Sequence, residues 1–164
     1  MAFSQYYTAR LNKLMVVDVA PRAYLGEHGS IFKTLLALDL SAATKRSDLD
    51  AQLAESISNK AIRYFLLMNV VTDDNGLKWR INLAALAENY PFLLEAVCEN
   101  VEVITPTLFV RGGRSDYIKQ SDEALIKRTF PQSQITTIEQ AGHWVHSDDA
   151  DAFLNITRAF FDYD

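Results

Sequence analysis

The sequence predicts an α/β protein whose parallel strands and helices alternate near both ends of the chain, with a mainly helical segment inserted between them. Three observations lead there. The run Leu14-Met15-Val16-Val17 has the unbroken apolar, valine-rich character of a strand buried on both faces. Two later β-type runs, at 107–110 and 134–138, each precede a helical pattern, at 121–130 and 148–161, which is the alternation of a parallel sheet. Residues 24–100 lack that alternation and read as helices with one hairpin, an inserted lid within a single partial domain spanning 1–164.

Taken in order, residues 1–10 read as the middle of an amphipathic helix with no capping residue ahead of it. The first strand, 14–19, ends at Asp18-Val19-Ala20-Pro21, because proline disfavours helical backbone in the residue before it. Asp18 therefore stands at a strand's end. Ile31, Leu35 and Leu38 share one face of a helix over 30–40, with Ser30 placed to cap it. Ser47 is expected to cap a second helix carrying Leu49, Leu53 and Ile57, and 59–71 continues helical through Ile62, Phe65, Leu66 and Met68. Thr72-Asp73-Asp74-Asn75-Gly76 is a turn leading into a short strand at 77–81. Asn82 caps a helix through Ala87, and Tyr90-Pro91 breaks or restarts it. Ser121-Asp122-Glu123 and the acids at 148–151 open the last two helices, where negative charge suits the helix dipole.

Composition narrows the function classes. With 49% hydrophobic and 23% charged residues in 164, the chain has globular composition and enough length for one domain. A net charge of -5 with scattered Lys and Arg argues against nucleic acid or an anionic membrane as partner. Cys98 is the only cysteine, so an intrachain disulfide or cysteine zinc site is excluded and a reducing compartment, the cytoplasm, is expected. His28, His143 and His146 have no spacing with carboxylates that converges on a metal, and Gly112-Gly113 is too short for a dinucleotide loop, so no metal or cofactor is expected.

The chemistry concentrates in two late motifs, Phe109-Val110-Arg111-Gly112-Gly113-Arg114-Ser115-Asp116 and Ala141-Gly142-His143-Trp144-Val145-His146. Each follows a β-type run, so a Gly-rich turn delivers polar side chains beyond a strand's carboxyl end, where open α/β sheets bind ligands. His143 is the candidate general base, since only imidazole has an ordinary pKa near working pH. Asp18 is the preferred carboxylate partner for its other nitrogen, and Asp116 is the rival. Ser115 lacks the flanking glycines of a nucleophile elbow, as does Ser30, and no Gly-x-Ser-x-Gly occurs in the chain. Trp79, Tyr90, Phe65 and Phe92 are candidates to line an apolar acyl pocket.

On these residues the chain resembles the α/β-hydrolase superfamily, and within it the compact bacterial acyl-ester hydrolases related to abhydrolase-domain 11 proteins. The resemblance is carried by Val16-Val17-Asp18-Val19-Ala20-Pro21, by Trp79-Arg80-Ile81-Asn82-Leu83 after the hairpin, and by the two late motifs. It implies the C-terminal portion of an α/β-hydrolase fold, its last parallel strands with flanking helices and a helical lid. It also implies that Met1 lies within the helix after the nucleophile elbow, with the serine and oxyanion loop upstream. Ser115 would then join the His and Asp network in place of the superfamily's more usual acid. The expected activity of the full-length form is hydrolysis of short or medium acyl esters or thioesters through an acyl-enzyme, with these residues alone inactive. The alternative is a non-catalytic α/β module whose open sheet edge binds a partner, such as a separately encoded N-terminal half or a second copy.

Overall fold

In a computed structural model the described residues are 1–74 and 76–162, so Asn75 of the expected turn lies outside them. They form two compact units. One comprises Met1–Tyr24 and Glu95–Asp164, the other Leu25–Leu94.

The first unit is built on a parallel three-stranded sheet of β1 (Leu14–Val17), β4 (Thr107–Gly112) and β5 (Ser133–Ile138), with β4 in the centre. Leu14 pairs with Thr107 and Val17 with Val110, while Gly112 pairs with Ile138. The register brings the carboxyl ends of all three strands to one edge. Side chains alternate across the pleat. Phe109 points into one core, with Val16, Ile118, Ile126 and Phe130, and its ring meets that of Phe130 edge-on at 5.4 Å. Leu108 and Val110 enter the other core with Ile138 and Val145, against Phe153, Ile156 and Phe160. Helices α7 (Glu123–Thr129) and α9 (Ala150–Phe161) supply those two coverings, which is why Leu108, Phe109 and Val110 of β4 are apolar in succession.

Several boundaries differ from the sequence reading, each for a physical reason. β1 ends at Val17 rather than residue 19, because Asp18 adopts a left-handed φ of 47° and leaves the strand. A short helix, α1 (Ala2–Tyr6), and a 3-10 turn (Thr8–Arg10) replace one continuous N-terminal helix. Residues 95–100, grouped by sequence with the helical segment, belong to the sheet unit, where the Val97 N–H donates to the Pro21 carbonyl at 3.0 Å. The last helix is split: α8 (Val145–Asp148) is a separate turn, and α9 is capped by Asp149, whose carboxylate accepts the Ala152 N–H at 3.1 Å.

The second unit packs α2 (Gly29–Leu36), α3 (Arg46–Ala54), α4 (Lys60–Leu67), α5 (Leu83–Glu88) and α6 (Tyr90–Leu93) with the hairpin of β2 (Val70–Asp73) and β3 (Gly76–Trp79). Its core is Leu35, Leu49, Leu53, Leu67, Val70 and Leu83, against which Trp79 packs. The helix expected over 59–71 stops at Leu67. Val70, Val71 and Thr72 are β-branched and pair with β3, and the hairpin ladder outweighs helical continuation. Ser30 and Ser47 lie inside the first turns of α2 and α3 rather than capping them. Lys45 stands at the cap of α3, and Asp48 in its first turn reaches back, its carboxylate accepting the N–H groups of Thr44 and Lys45 at 3.0 and 3.2 Å.

A buried guanidinium ties α3 to α4. Arg63 pairs with Asp50 at 2.8 Å and donates to the carbonyls of Ile57 and Ser58, both at 2.9 Å. The Arg63 hydrogen bond holds the Asp50 carboxyl below its ordinary value, so its stabilising contribution is present above the ordinary carboxylate range and is lost as pH falls through the lowered folded-state value. Urea denaturation of Asp50→Asn is therefore expected to show a deficit against the parent at neutral pH that closes on acidification. Phe109→Ala, which empties the centre of the sheet, is expected to cost about 3–5 kcal/mol in the same measurement.

Candidate active site

Asp18 organises the site. It follows β1, and its own N–H still donates to the Val110 carbonyl at 2.8 Å, so the ladder runs one residue past the strand before the backbone turns away. Left-handed backbone is rare outside glycine, although aspartate is among the residues that visit it. The turn drives its carboxylate under the ends of β4 and β5, where it has no solvent exposure. A carboxylate buried this fully needs hydrogen-bond donors to remain charged. It has three. Oδ1 accepts the Gly112 N–H at 3.1 Å, and Oδ2 accepts from the Ser115 hydroxyl and lies 2.9 Å from His143 Nδ1.

Each donor comes from a different position at the same sheet edge. Gly112 is the last residue of β4, Ser115 closes the turn after it, and His143 stands in the loop after β5. Gly112 is required by close approach. A Cβ there would sit 2.1 Å from the Gly142 carbonyl oxygen, and one on Gly113 would sit 2.5 Å from that of Glu139. The two glycines let the β4 turn lie against the β5 loop, and this contact brings His143 to Asp18. Gly142 plays a different part: its N–H donates to Asp148 Oδ2 at 2.7 Å, which anchors the loop one residue before the imidazole.

The His143 side chain is 46% exposed while Asp18 is wholly buried. With Nδ1 donating to the carboxylate, the neutral ring carries its lone pair on Nε2, the form suited to accepting a proton. The Tyr117 ring lies against the imidazole, with centroids 3.9 Å apart and planes 19° from parallel.

The structure thus brings together Asp18, His143 and Ser115. It does not bring Asp116 to them. That carboxylate is 96% exposed and its ion-pair partner is Lys119, at 3.9 Å, because the turn that directs Ser115 inward directs the next residue outward. Of the four candidate pocket aromatics, Trp79 packs against the helical unit's core, Tyr90 meets the Phe32 ring at a tilt with centroids 5.0 Å apart and hydrogen-bonds His28 at 2.9 Å, and Phe65 and Phe92 are exposed. Sequence reasoning missed Tyr117 and assigned Asp148 only to helix capping. Tyr117 sits two residues from Ser115 in an irregular loop, where no periodicity marks it.

Comparisons of sequence and structure give the chain its relatives. The chain is 34% identical over 156 residues to the sn-1-specific diacylglycerol lipase ABHD11 of Mus musculus, a match covering 92% of this chain and 51% of that protein. It is 30% identical over 162 residues to the esterase YbfF of Escherichia coli, covering 98% of this chain and 61% of that one. A solved marine microorganism esterase superposes with a TM-score of 0.89 at 32% identity, over 97% of this chain and 66% of its own. The chain is a relative of the α/β-hydrolase esterases. Its fold is a partial α/β-hydrolase fold. It spans about half to two thirds of the length of the relatives it matches. No family model matches it. No helix among the described residues is long and apolar enough to cross a membrane.

Gly112→Ala is expected to destabilise the sheet unit by about 1–3 kcal/mol or more, since its Cβ meets rigid backbone. Gly29→Ala, with open space around its Cβ, is the matched control, and urea denaturation compares the two.

Proposed function

We propose that these residues carry the acid–base half of a serine ester hydrolase, with His143 as general base and acid, Asp18 as the carboxylate that orients it, and Ser115 as a hydroxyl that holds Asp18. The single observation that supports this most is the 2.9 Å contact between His143 Nδ1 and a fully buried carboxylate at the edge where strands β1, β4 and β5 end. In the reaction, Nε2 takes the proton of a serine hydroxyl as that oxygen attacks the ester carbonyl. The resulting imidazolium is stabilised by Asp18, which accepts the hydrogen bond without taking the proton. Nε2 then returns the proton to the departing alcohol or thiol. Water, activated by the same nitrogen, releases the acid from the acyl-enzyme.

Short or medium acyl esters or thioesters are the substrates this reading assigns, in keeping with the esterase and lipase names of the relatives. The nucleophile is not one of the serines at this edge. Ser115 spends its proton on Asp18, and no Gly-x-Ser-x-Gly occurs in the sequence. Hydrolysis requires a serine and an oxyanion hole from outside these 164 residues, because their joint absence removes terms each worth orders of magnitude.

Two preparations test this. The 164-residue chain alone is expected to release p-nitrophenol from p-nitrophenyl butyrate no faster than buffer. A fusion placing the part of the Escherichia coli esterase left out of the match ahead of Met1 is expected to hydrolyse the same ester. In that fusion His143→Ala is expected to lose activity by on the order of 10⁴-fold or more. His143-dependent turnover by the chain alone, or a folded fusion indifferent to His143→Ala, would contradict the proposal.

A further inference from the structure

We infer that Tyr117 is a positioning residue for His143, holding the imidazole in the orientation that meets Asp18; this rests on the acid–base reading of that pair. The hydrogen bond to Asp18 fixes one ring nitrogen, but the torsion between Cβ and the imidazole is of the broad sp³–sp² kind and leaves the plane free to swing. Nearly half of the side chain is exposed, so burial alone does not hold it. A flat ring 3.9 Å away and 19° from parallel removes the swing that the single hydrogen bond permits. The same π face also favours the imidazole when it becomes positively charged.

Tyr117 is itself held from several sides. Its N–H donates to Ser115 Oγ at 3.2 Å, and its carbonyl accepts the Tyr24 hydroxyl at 2.7 Å and Arg22 Nη2 at 3.5 Å. The Tyr24 oxygen in turn accepts the Ala20 N–H at 2.7 Å, two residues beyond Asp18. The Arg22 guanidinium lies 4.1 Å over the Tyr24 ring and pairs at 3.2 Å with Asp122, which is almost wholly buried and also accepts the Lys119 N–H at 2.9 Å. Burial pushes the Tyr24 phenol above its ordinary value, so it keeps its proton to donate. The segment that carries the acid, the serine that braces it and the ring that faces the imidazole therefore share one frame. Displacing Tyr117 disturbs the imidazole through two routes, the stack and the Ser115 contact, whereas removing only its hydroxyl disturbs neither.

The test is proton NMR of the full 164-residue chain at low temperature, observing the far-downfield Nδ1–H resonance of His143 that a hydrogen bond to Asp18 produces. The parent and Tyr117→Phe are expected to show it, and Tyr117→Leu to lose it, with circular dichroism confirming that the variant remains folded. Tyr24→Phe, which keeps the ring and removes the hydroxyl that braces the Tyr117 carbonyl and accepts the Ala20 N–H, is expected to broaden the resonance and serves if the leucine variant does not fold. Persistence of the resonance, unbroadened, in a folded Tyr117→Leu or Tyr24→Phe chain would overturn the positioning role while leaving the Asp18–His143 pair intact. Its absence from the parent would overturn the pair itself, and the positioning role with it.

Discussion

A charged group with no access to water must be surrounded by donors, and in this chain the carboxylate of Asp18 imposes that requirement on the whole sheet edge. Its partners are a backbone N–H at the end of β4, a hydroxyl in the turn that follows and an imidazole from the loop after β5. None of these groups is adjacent in sequence to Asp18. They meet because the parallel register aligns the three strand ends and because glycine at 112 lets two loops touch. The left-handed backbone at Asp18 belongs to the same solution. An extended residue there would continue the strand outward, whereas the turn at φ 47° tucks the carboxylate beneath its donors. Local strain at such a residue costs of order 1–3 kcal/mol and persists only where its surroundings over-determine it.

The chemistry follows from the contrast between partners. Asp18 is sealed from solvent and satisfied on both oxygens, while the imidazole it orients is nearly half exposed. That difference leaves the imidazole open to a group arriving from outside while its partner is closed off. Ser115 spends its hydrogen bond on the acid rather than on the imidazole, which separates its role from that of a nucleophile. The Tyr117 ring lies against the imidazole, and Asp148 accepts the N–H of Gly142, the residue before it.

Much of this was legible in the residues. The apolar run of β1 with Asp18 at its end, the Gly-Gly turn, and the Ala-Gly-His motif located three of the interacting groups, because strand ends and glycine turns are marked by local chemistry. The sequence favours Asp18 over its rival Asp116, but both follow a strand, and it is the direction of the turn that decides which one is buried. The strand at Val70–Asp73 was likewise hidden: its residues extend the periodicity of α4, and their pairing with β3 is a non-local outcome. Tyr117, Tyr24 and Arg22 carry no spacing signature at all. Their meeting depends on a loop conformation set by hydrogen bonds 93 to 95 residues apart along the chain.

The measurement that bears most directly on this account is steady-state ester hydrolysis by the chain fused behind the unmatched part of the Escherichia coli esterase, comparing Asp18→Asn with Asp116→Asn. Asparagine keeps the shape of either side chain and removes its charge. Asp18→Asn is expected to lower turnover by on the order of 10⁴-fold, while Asp116→Asn leaves it within a few-fold of the parent. The reverse order, or equal and small effects from both, would contradict the claim that the buried carboxylate at the end of β1 is the group on which the site depends.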